Sequence, residues 1–426
     1  MPDKKEIESA YLALQQYNFW DGVVQKTGLH RAQIMARIRP YSGNTLIKVL
    51  VGQRRVGKSY ILRQLIAELI QEKGVNPNNI FYLNKELIEF DAIQTYQDLA
   101  DLISLYEDKG NISGKRYLFL DEIQEISSWE KVVNALSQNY KTAYEIFITG
   151  SNSTMLSGEL STYLSGRYVQ FEISPFSYTE FLSISQLERG RASYIRYLQT
   201  GGLPELFHLQ GEDISRHYVQ ALYDSIMIKD IIKRYRIKDV ALLEHLFRFS
   251  ADNIGNLFSI NRIVDYLNTH RVKTNVETVS SYLGYLSDCF LLHEAQRYDI
   301  KGKSWFASTK KYYLNDLAFK TYFASSYDTG LGKHLENALY LHFKGLGYRI
   351  SVGVLGDKEI DFVIENGQDK KYVQVAFSVS DENVMAREFS GLATIQDAYE
   401  KWVISLDEYS LGAPNGIKHI RAWELG

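Results

Sequence analysis

The sequence predicts an α/β fold built on a mostly parallel sheet with helices on both faces. Three observations predict it. An apolar run, Thr45–Val51, passes through the glycine-bounded loop Gly52–Ser59 into an amphipathic stretch ending near Lys73. A second apolar run, Tyr117–Leu120, ends in two carboxylates, Asp121 and Glu122. Strand patterns alternate with helix patterns as far as Ile173, as parallel strands joined by crossover helices require.

Length and composition bound the rest. A chain of 426 residues exceeds one ordinary core, so two or three domains are expected. The formal net charge of −3 gives no global signal for nucleic acid, and any such site must be a local basic patch. Cys289 is the only cysteine, which excludes an internal disulfide and a thiolate zinc site. The opening Met-Pro-Asp-Lys-Lys-Glu is charged and lacks the apolar stretch of a signal peptide. No apolar run approaches the roughly 20 residues that span a bilayer. The expected location is the cytoplasm, with no membrane partner.

In chain order, residues 1–40 form an N-terminal helical segment, with 4–39 reading as two or three helical pieces. Arg31, Arg37 and Arg39 near its end would cover a nucleotide base or form a solvated basic face, and both readings stand. Next, Gly52-Gln53-Arg54-Arg55-Val56-Gly57-Lys58-Ser59 matches the P-loop spacing G-x-x-x-x-G-K-[ST]. Gly52 and Gly57 let backbone N–H groups turn inward to phosphate oxygens. The following helix, opening with Lys58, Ser59 and Tyr60, adds its N-terminal partial charge. Lys58 would reach the β- and γ-phosphates, and Ser59 would ligate Mg²⁺.

A strand follows at Ile80–Leu83, a helix over 95–107, then the strand ending in Asp121 and Glu122. This is the Walker B pattern, about sixty residues beyond the P-loop. Asp121 would hold the Mg²⁺ shell, and Glu122 would orient and deprotonate the attacking water. The strand Glu145–Thr149 carries Ser151 and Asn152 beyond its tip, either of which would bond the γ-phosphate or the water. Arg167, before the strand Tyr168–Ile173, is a candidate arginine finger or a surface ion-pair residue. Acting on a neighbouring subunit, it requires a homo-oligomer; within one chain, a monomer suffices.

These motifs form an ordered series. After Gly-x-Arg-Arg-Val-Gly-Lys-Ser come Leu-Asp-Glu-Ile-Gln with Trp129, Ile-Thr-Gly-Ser-Asn-Ser, and Leu-Ser-Gly-Arg at 164–167. Pro175-Phe176-Ser177 with Glu180-Phe181 follows, then Gly201-Gly202-Leu203-Pro204-Glu205. The series resembles the bacterial and archaeal AAA-type ATP-binding proteins with an uncharacterised C-terminal module. The resemblance covers nearly the whole chain. It implies ATP rather than GTP as ligand, a P-loop core at 41–175 and a small helical lid at 176–225.

The segment Asp224–Lys238 reads as an amphipathic helix with Lys229, Lys233, Arg234, Arg236 and Lys238 on one face, either solvated or binding nucleic acid or a partner. Residues 226–330 suit a winged helix. Helices are expected at 240–250, at Ser259–Asn268 and after a capping box of Thr274 and Glu277. Strands at Cys289–Arg297 and Ser304–Leu314 would frame a tip, Lys301-Gly302-Lys303. The third helix exposes Thr278, Ser280 and Ser281 with little positive charge, whereas DNA contact needs Lys or Arg. DNA contact therefore falls to Arg271, the tip lysines and segment 229–238, and a purely structural role stands beside it.

For residues 331–426 the family implies a PD-(D/E)xK nuclease-like fold, with Glu336 on a helix His334–Leu346 and Asp361 on a strand. Gln374 stands where the second carboxylate belongs and Ala376 where the lysine belongs. A neutral amide is a weak metal ligand and alanine donates nothing, so no metal-dependent cleavage is expected there. The function expected of the whole is Mg²⁺-dependent ATP binding and hydrolysis, driving a switch or motor on DNA or a protein partner. The alternatives are an ATP-regulated DNA-binding regulator with slow turnover and, against Gln374 and Ala376, an ATP-dependent nuclease.

Overall fold

The computed structural model describes residues 4–139, 141–153, 164, 166–323, 330–411 and 416–425. Ser165, within the Leu-Ser-Gly-Arg motif, lies outside the described residues. The chain divides into two compact units, Met1–Ile173 and Ser174–Gly426.

In the first unit, β1 (Ile47–Val51) is buried along its whole length, as its unbroken apolar run with Lys48 requires. Lys48 stays inside because Glu145 neutralises it at 3.0 Å. The loop after β1 turns into α3 (Lys58–Gln71), which buries Ile61, Leu62, Leu65, Ile66 and Leu69. Each such burial contributes about 2 kcal/mol. Before them lie α1 (Lys4–Tyr17) and α2 (Ala32–Ile38), the expected helical pieces.

The remaining elements are β2 (Ile80–Asn84), α4 (Tyr96–Lys109), β3 (Arg116–Asp121), α5 (Glu130–Ser137), β4 (Tyr144–Gly150) and β5 (Tyr168–Glu172). α4 starts at a capping box in which Thr95 and Asp98 satisfy each other's backbone N–H. The five strands run parallel in the order β2-β3-β4-β1-β5. Consequently the carboxyl ends of β1, β3 and β4 meet at one edge, where ligands bind in open α/β sheets.

In the second unit, α6 (Tyr178–Ser185) opens with the Ser177–Glu180 capping box, and α7 (Arg191–Thr200) follows. α8 (Glu212–Ile226) runs on through a π-helical turn, Met227–Ile232, to Lys233–Tyr235. Lys229, Lys233, Arg234, Arg236 and Lys238 are all exposed, but the helix ends at Tyr235 and Arg236, with φ 52°, turns the chain out of it, so Arg236 and Lys238 lie beyond the helix expected to carry them. Next come α9 (Val240–Asp252), β6 (Leu257–Ser259), α10 (Ile260–Thr269) and α11 (Val276–Asp288). The cap of α11 differs from expectation: Asn275 accepts from Thr278 N at 2.9 Å, one residue beyond Thr274. An Asn side chain reaches the orphan N–H groups as well as a Thr.

β7 (Leu292–Asp299) and β8 (Ser304–Leu314) form an antiparallel hairpin around 301–303. β7 starts three residues later than expected, because Cys289 caps α11. After α12 (Leu317–Phe323) come α13 (Leu331–Gly345), β9 (Arg349–Leu355), β10 (Lys358–Asn366), β11 (Asp369–Val375), α14 (Glu382–Ala393), β12 (Glu400–Ser405) and β13 (Lys418–Arg421). The sheet order is β13-β12-β11-β10-β9-β7-β8-β6. β7 pairs with β9 in parallel, Tyr298 opposite Gly353. One sheet therefore runs across residue 330, and packing does not break where the division between 226–330 and 331–426 was expected.

Candidate nucleotide site

Backbone shape comes first. At Gly52 a Cβ would meet Ile173 O at 2.3 Å, so no larger residue fits. Gly57 has φ +96° and caps α3, a left-handed conformation that glycine adopts without strain. Between them Arg55, with φ 65°, is turned outward and exposed. Gln53, Arg54 and Val56 are buried. Arg54 is fixed by Glu86 at 2.5 Å and Glu125 at 4.0 Å, so it braces the loop from behind. Tyr60 is 45 % exposed and carries the Arg63 guanidinium over its ring at 5.2 Å.

Lys58 is folded into the loop. Its Nζ donates to Gly52 O at 3.0 Å and Gln53 O at 3.2 Å and pairs with Glu122 Oε1 at 3.1 Å. Glu122 holds φ 54°, ψ 46° just past the end of β3. A non-glycine residue there stores strain of the kind that clusters at functional sites. The turn keeps Glu122 beside Lys58. Burial alone would raise the Glu122 carboxyl, but the Lys58 ammonium, the Gln124 amide and Arg54 outweigh it and hold the carboxyl below its ordinary value.

Asp121 sits deeper. Its Oδ1 accepts from Thr149 Oγ1 at 2.5 Å and its Oδ2 from Tyr82 OH at 3.1 Å. Burial first, then the Glu122 charge, push it above the usual carboxylate value, while the Thr149 and Ser59 hydroxyls oppose the shift. The register explains the neighbours, since Leu120 pairs with Ile148 and sets Asp121 level with Thr149.

The P-loop, Lys58, Ser59, Asp121 and Glu122 are thus brought together as expected. Ser151 and Asn152 are buried just past the end of β4. Gln124 Nε2 links Glu122 Oε2 at 2.6 Å to Ser151 Oγ at 3.4 Å. Arg167 is elsewhere. Tyr168 pairs with Ile47, so Arg167 precedes the amino end of its strand while the P-loop follows the carboxyl end of β1. At about 3.3 Å per residue the two lie roughly 20 Å apart along the strand. Arg167 is exposed and donates to Asn134 Oδ1 at 3.0 Å.

The expected basic helix end is split by function. Arg31 is buried and donates to Val56 O at 3.3 Å, while Arg39 pairs with Glu68 at 2.9 Å. Thr149, Gln124 and Tyr82 are additions that sequence reading missed. Thr149 and Gln124 lie inside the quoted motifs, and only the strand register shows what they hold.

The residues present fit a nucleotide with its Mg²⁺. The Ser59 hydroxyl and the Asp121 carboxylate are hard oxygen donors, as Mg²⁺ prefers. Gln124 Oε1 is buried beside Glu122 without a hydrogen-bond partner, an acceptor left for something the site takes in.

Comparisons with known proteins place part of the chain in a known domain family. The AAA domain family matches residues 44–182, and a domain of unknown function matches 191–336. An uncharacterized protein of Haemophilus influenzae is 34 % identical over 401 residues, covering 93 % of this chain and 98 % of that protein. One from Methanocaldococcus jannaschii is 29 % identical over 384 residues, covering 86 % and 81 %. A Walker-type ATPase of Pyrococcus abyssi aligns in structure with a TM-score of 0.42 at 16 % identity, covering 71 % of this chain and 96 % of that one. No described helix is long and apolar enough to cross a membrane. The chain belongs to the same family as the Haemophilus influenzae protein, and its first unit carries a P-loop domain of the AAA type.

Proposed function

We propose that the chain is a Mg²⁺-dependent ATPase whose hydrolysis cycle works as a switch or motor. The observation that carries this reading is the convergence of Lys58, Asp121 and Glu122 at one sheet edge, with Lys58 Nζ 3.1 Å from Glu122 Oε1. The loop N–H groups and Lys58 would hold the phosphates, and Ser59 and Asp121 the metal. Bound Mg²⁺ would offset the negative charge of the β- and γ-phosphates. Lys58 has to leave Gly52 O, Gln53 O and Glu122 to reach a phosphate. That movement frees the Glu122 carboxylate to accept a proton from water. Gln124 keeps Glu122 oriented, and Ser151 or Asn152 would bond the water or the γ-phosphate.

Steady-state ATP hydrolysis with Mg²⁺ tests the proposal. Lys58→Ala should lose ATP affinity, and Glu122→Gln should bind ATP without turning it over. Normal turnover in Glu122→Gln would remove Glu122 from the mechanism.

A second reading has its own support. Exposed Lys229, Lys233, Arg234, Arg236 and Lys238, with Lys301 and Lys303 at the hairpin tip, offer phosphate contacts to DNA. The order of α9, β6, α10, α11, β7 and β8 favours a winged helix for that segment. The α11 face, with exposed Glu277, Ser280 and Ser281, contributes no positive charge to it. Duplex DNA added to the ATPase assay separates the outcomes: stimulation favours a DNA-coupled machine, and indifference favours a protein partner.

A further inference from the structure

The pocket that the nuclease-like reading assigns to a metal already holds a cation supplied by the chain. Glu336 reaches it from α13, and Glu359 and Asp361 from β10. The Lys311 ammonium enters from β8. Its Nζ lies 2.9 Å from Glu336 Oε1, 2.8 Å from Glu359 Oε1 and 3.4 Å from Asp361 Oδ1. Lys311 is 1 % exposed, so these carboxylates are its solvation.

The outer contacts hold the carboxylates in place. Tyr313 OH donates to Glu336 Oε1 at 2.8 Å, and Lys333 pairs with Glu336 Oε2 at 3.0 Å. Val375 N donates to Asp361 Oδ2 at 2.9 Å. Gln374, expected to be only a poor ligand, is turned to other work. Its Oε1 accepts from Asp361 N at 3.3 Å and its Nε2 donates to Glu388 at 2.8 Å.

Three carboxylates converging on one point, Glu336 and Asp361 buried and Glu359 half-buried, repel one another unless a cation stands between them. A metal ion would need oxygens at about 2.0–2.6 Å, and the ammonium fills that place. Among the described residues no group of three or more His, Cys, Asp or Glu is arranged to hold a metal as it stands.

We propose that Lys311 is the resident cation of this pocket, in place of a divalent metal. Without that ammonium, Glu336, Glu359 and Asp361 would be left to take a divalent cation in its place. The substitution turns a metal pocket into an ionic clasp tying β8 to α13 and β10. The proposal rests on the nuclease-like reading only for the kind of ion displaced.

The test is Mn²⁺ binding to the full chain without nucleotide, read by calorimetry, in the native protein, Lys311→Ala, Glu336→Gln and the double variant. The native chain should bind no Mn²⁺ that Glu336→Gln removes. Lys311→Ala should gain a site at least tenfold tighter, lost again in the double variant. Folded Lys311→Ala without that gain overturns the proposal. So does Mn²⁺ binding by the native chain that Glu336→Gln abolishes, a result that needs no Lys311 variant to fold. Because the probe is the metal alone, failure of ATP hydrolysis or DNA binding leaves the result intact.

Discussion

Thr149 Oγ1 is shared by two neighbours: it donates to Asp121 Oδ1 and accepts from Glu122 N at 2.9 Å. One hydroxyl thereby sets the position of both carboxylates. Thr149→Val keeps the shape and removes both bonds. ATP hydrolysis should fall by about tenfold or more while ATP affinity changes by less than about threefold, since a misplaced catalytic group costs rate before binding. Steady-state kinetics beside equilibrium nucleotide titration checks the split. At this scale the sequence was legible where residues are neighbours in the chain. Lys58, Ser59, Asp121 and Glu122 announce themselves by spacing. Thr149 and Lys311 do not, because their partners come from other strands and only register brings them together.

Among the elements, the Gly201-Gly202 turn was legible as a motif but not as a device. Gly202 N donates to Asp316 Oδ2 at 2.7 Å and Ala318 N to Oδ1 at 2.8 Å, so a carboxylate far along the chain pins the turn between α7 and the segment after it. Asp316→Ala leaves these buried N–H groups unpaired and should cost about 2–4 kcal/mol, measurable by urea unfolding.

The same residue predicts a pH dependence. Burial pushes Asp316 up to about 7 against the N–H groups of Ala318, Gly202 and Leu203. A carboxyl raised above its unfolded value stabilises the fold in its protonated form. That contribution is complete below about pH 4 and is lost as pH rises through about 7. Asp316→Asn, neutral throughout, should lose less stability than the native chain between pH 4.5 and 7.5. Urea midpoints at the two pH values test it. Helix positions were also readable from periodicity, whereas the cap of α11 was not: Thr274 and Asn275 are both good caps, and the choice depends on where the preceding turn delivers the chain.

At the scale of the molecule, the far position of Arg167 bears on assembly. An arginine beyond the amino end of β5 cannot serve the P-loop after β1 of its own chain, so a finger role, as against the surface contact with Asn134, would have to act on a neighbouring copy. Specific ATPase activity should then rise with protein concentration. Arg167→Ala should lower turnover on the order of a thousandfold with ATP affinity retained. A rate per protomer that is independent of dilution would exclude the trans role. The α/β fold class and the parallel sheet were legible from alternating patterns. The single eight-stranded sheet of the second unit was not, because the β7–β9 pairing spans α12 and α13 and leaves no local signature.

That pairing has a consequence for biosynthesis. When the ribosome has delivered the β7–β8 hairpin, the outer edge of β7 faces solvent with its N–H and C=O groups unpaired, a template for adhesion to other nascent chains. Along Arg297–Asp299 it stays so until β9 emerges and pairs there. The order of translation thus leaves that short edge open in the interval between β8 and β9, and a chain truncated after residue 330 would keep it open.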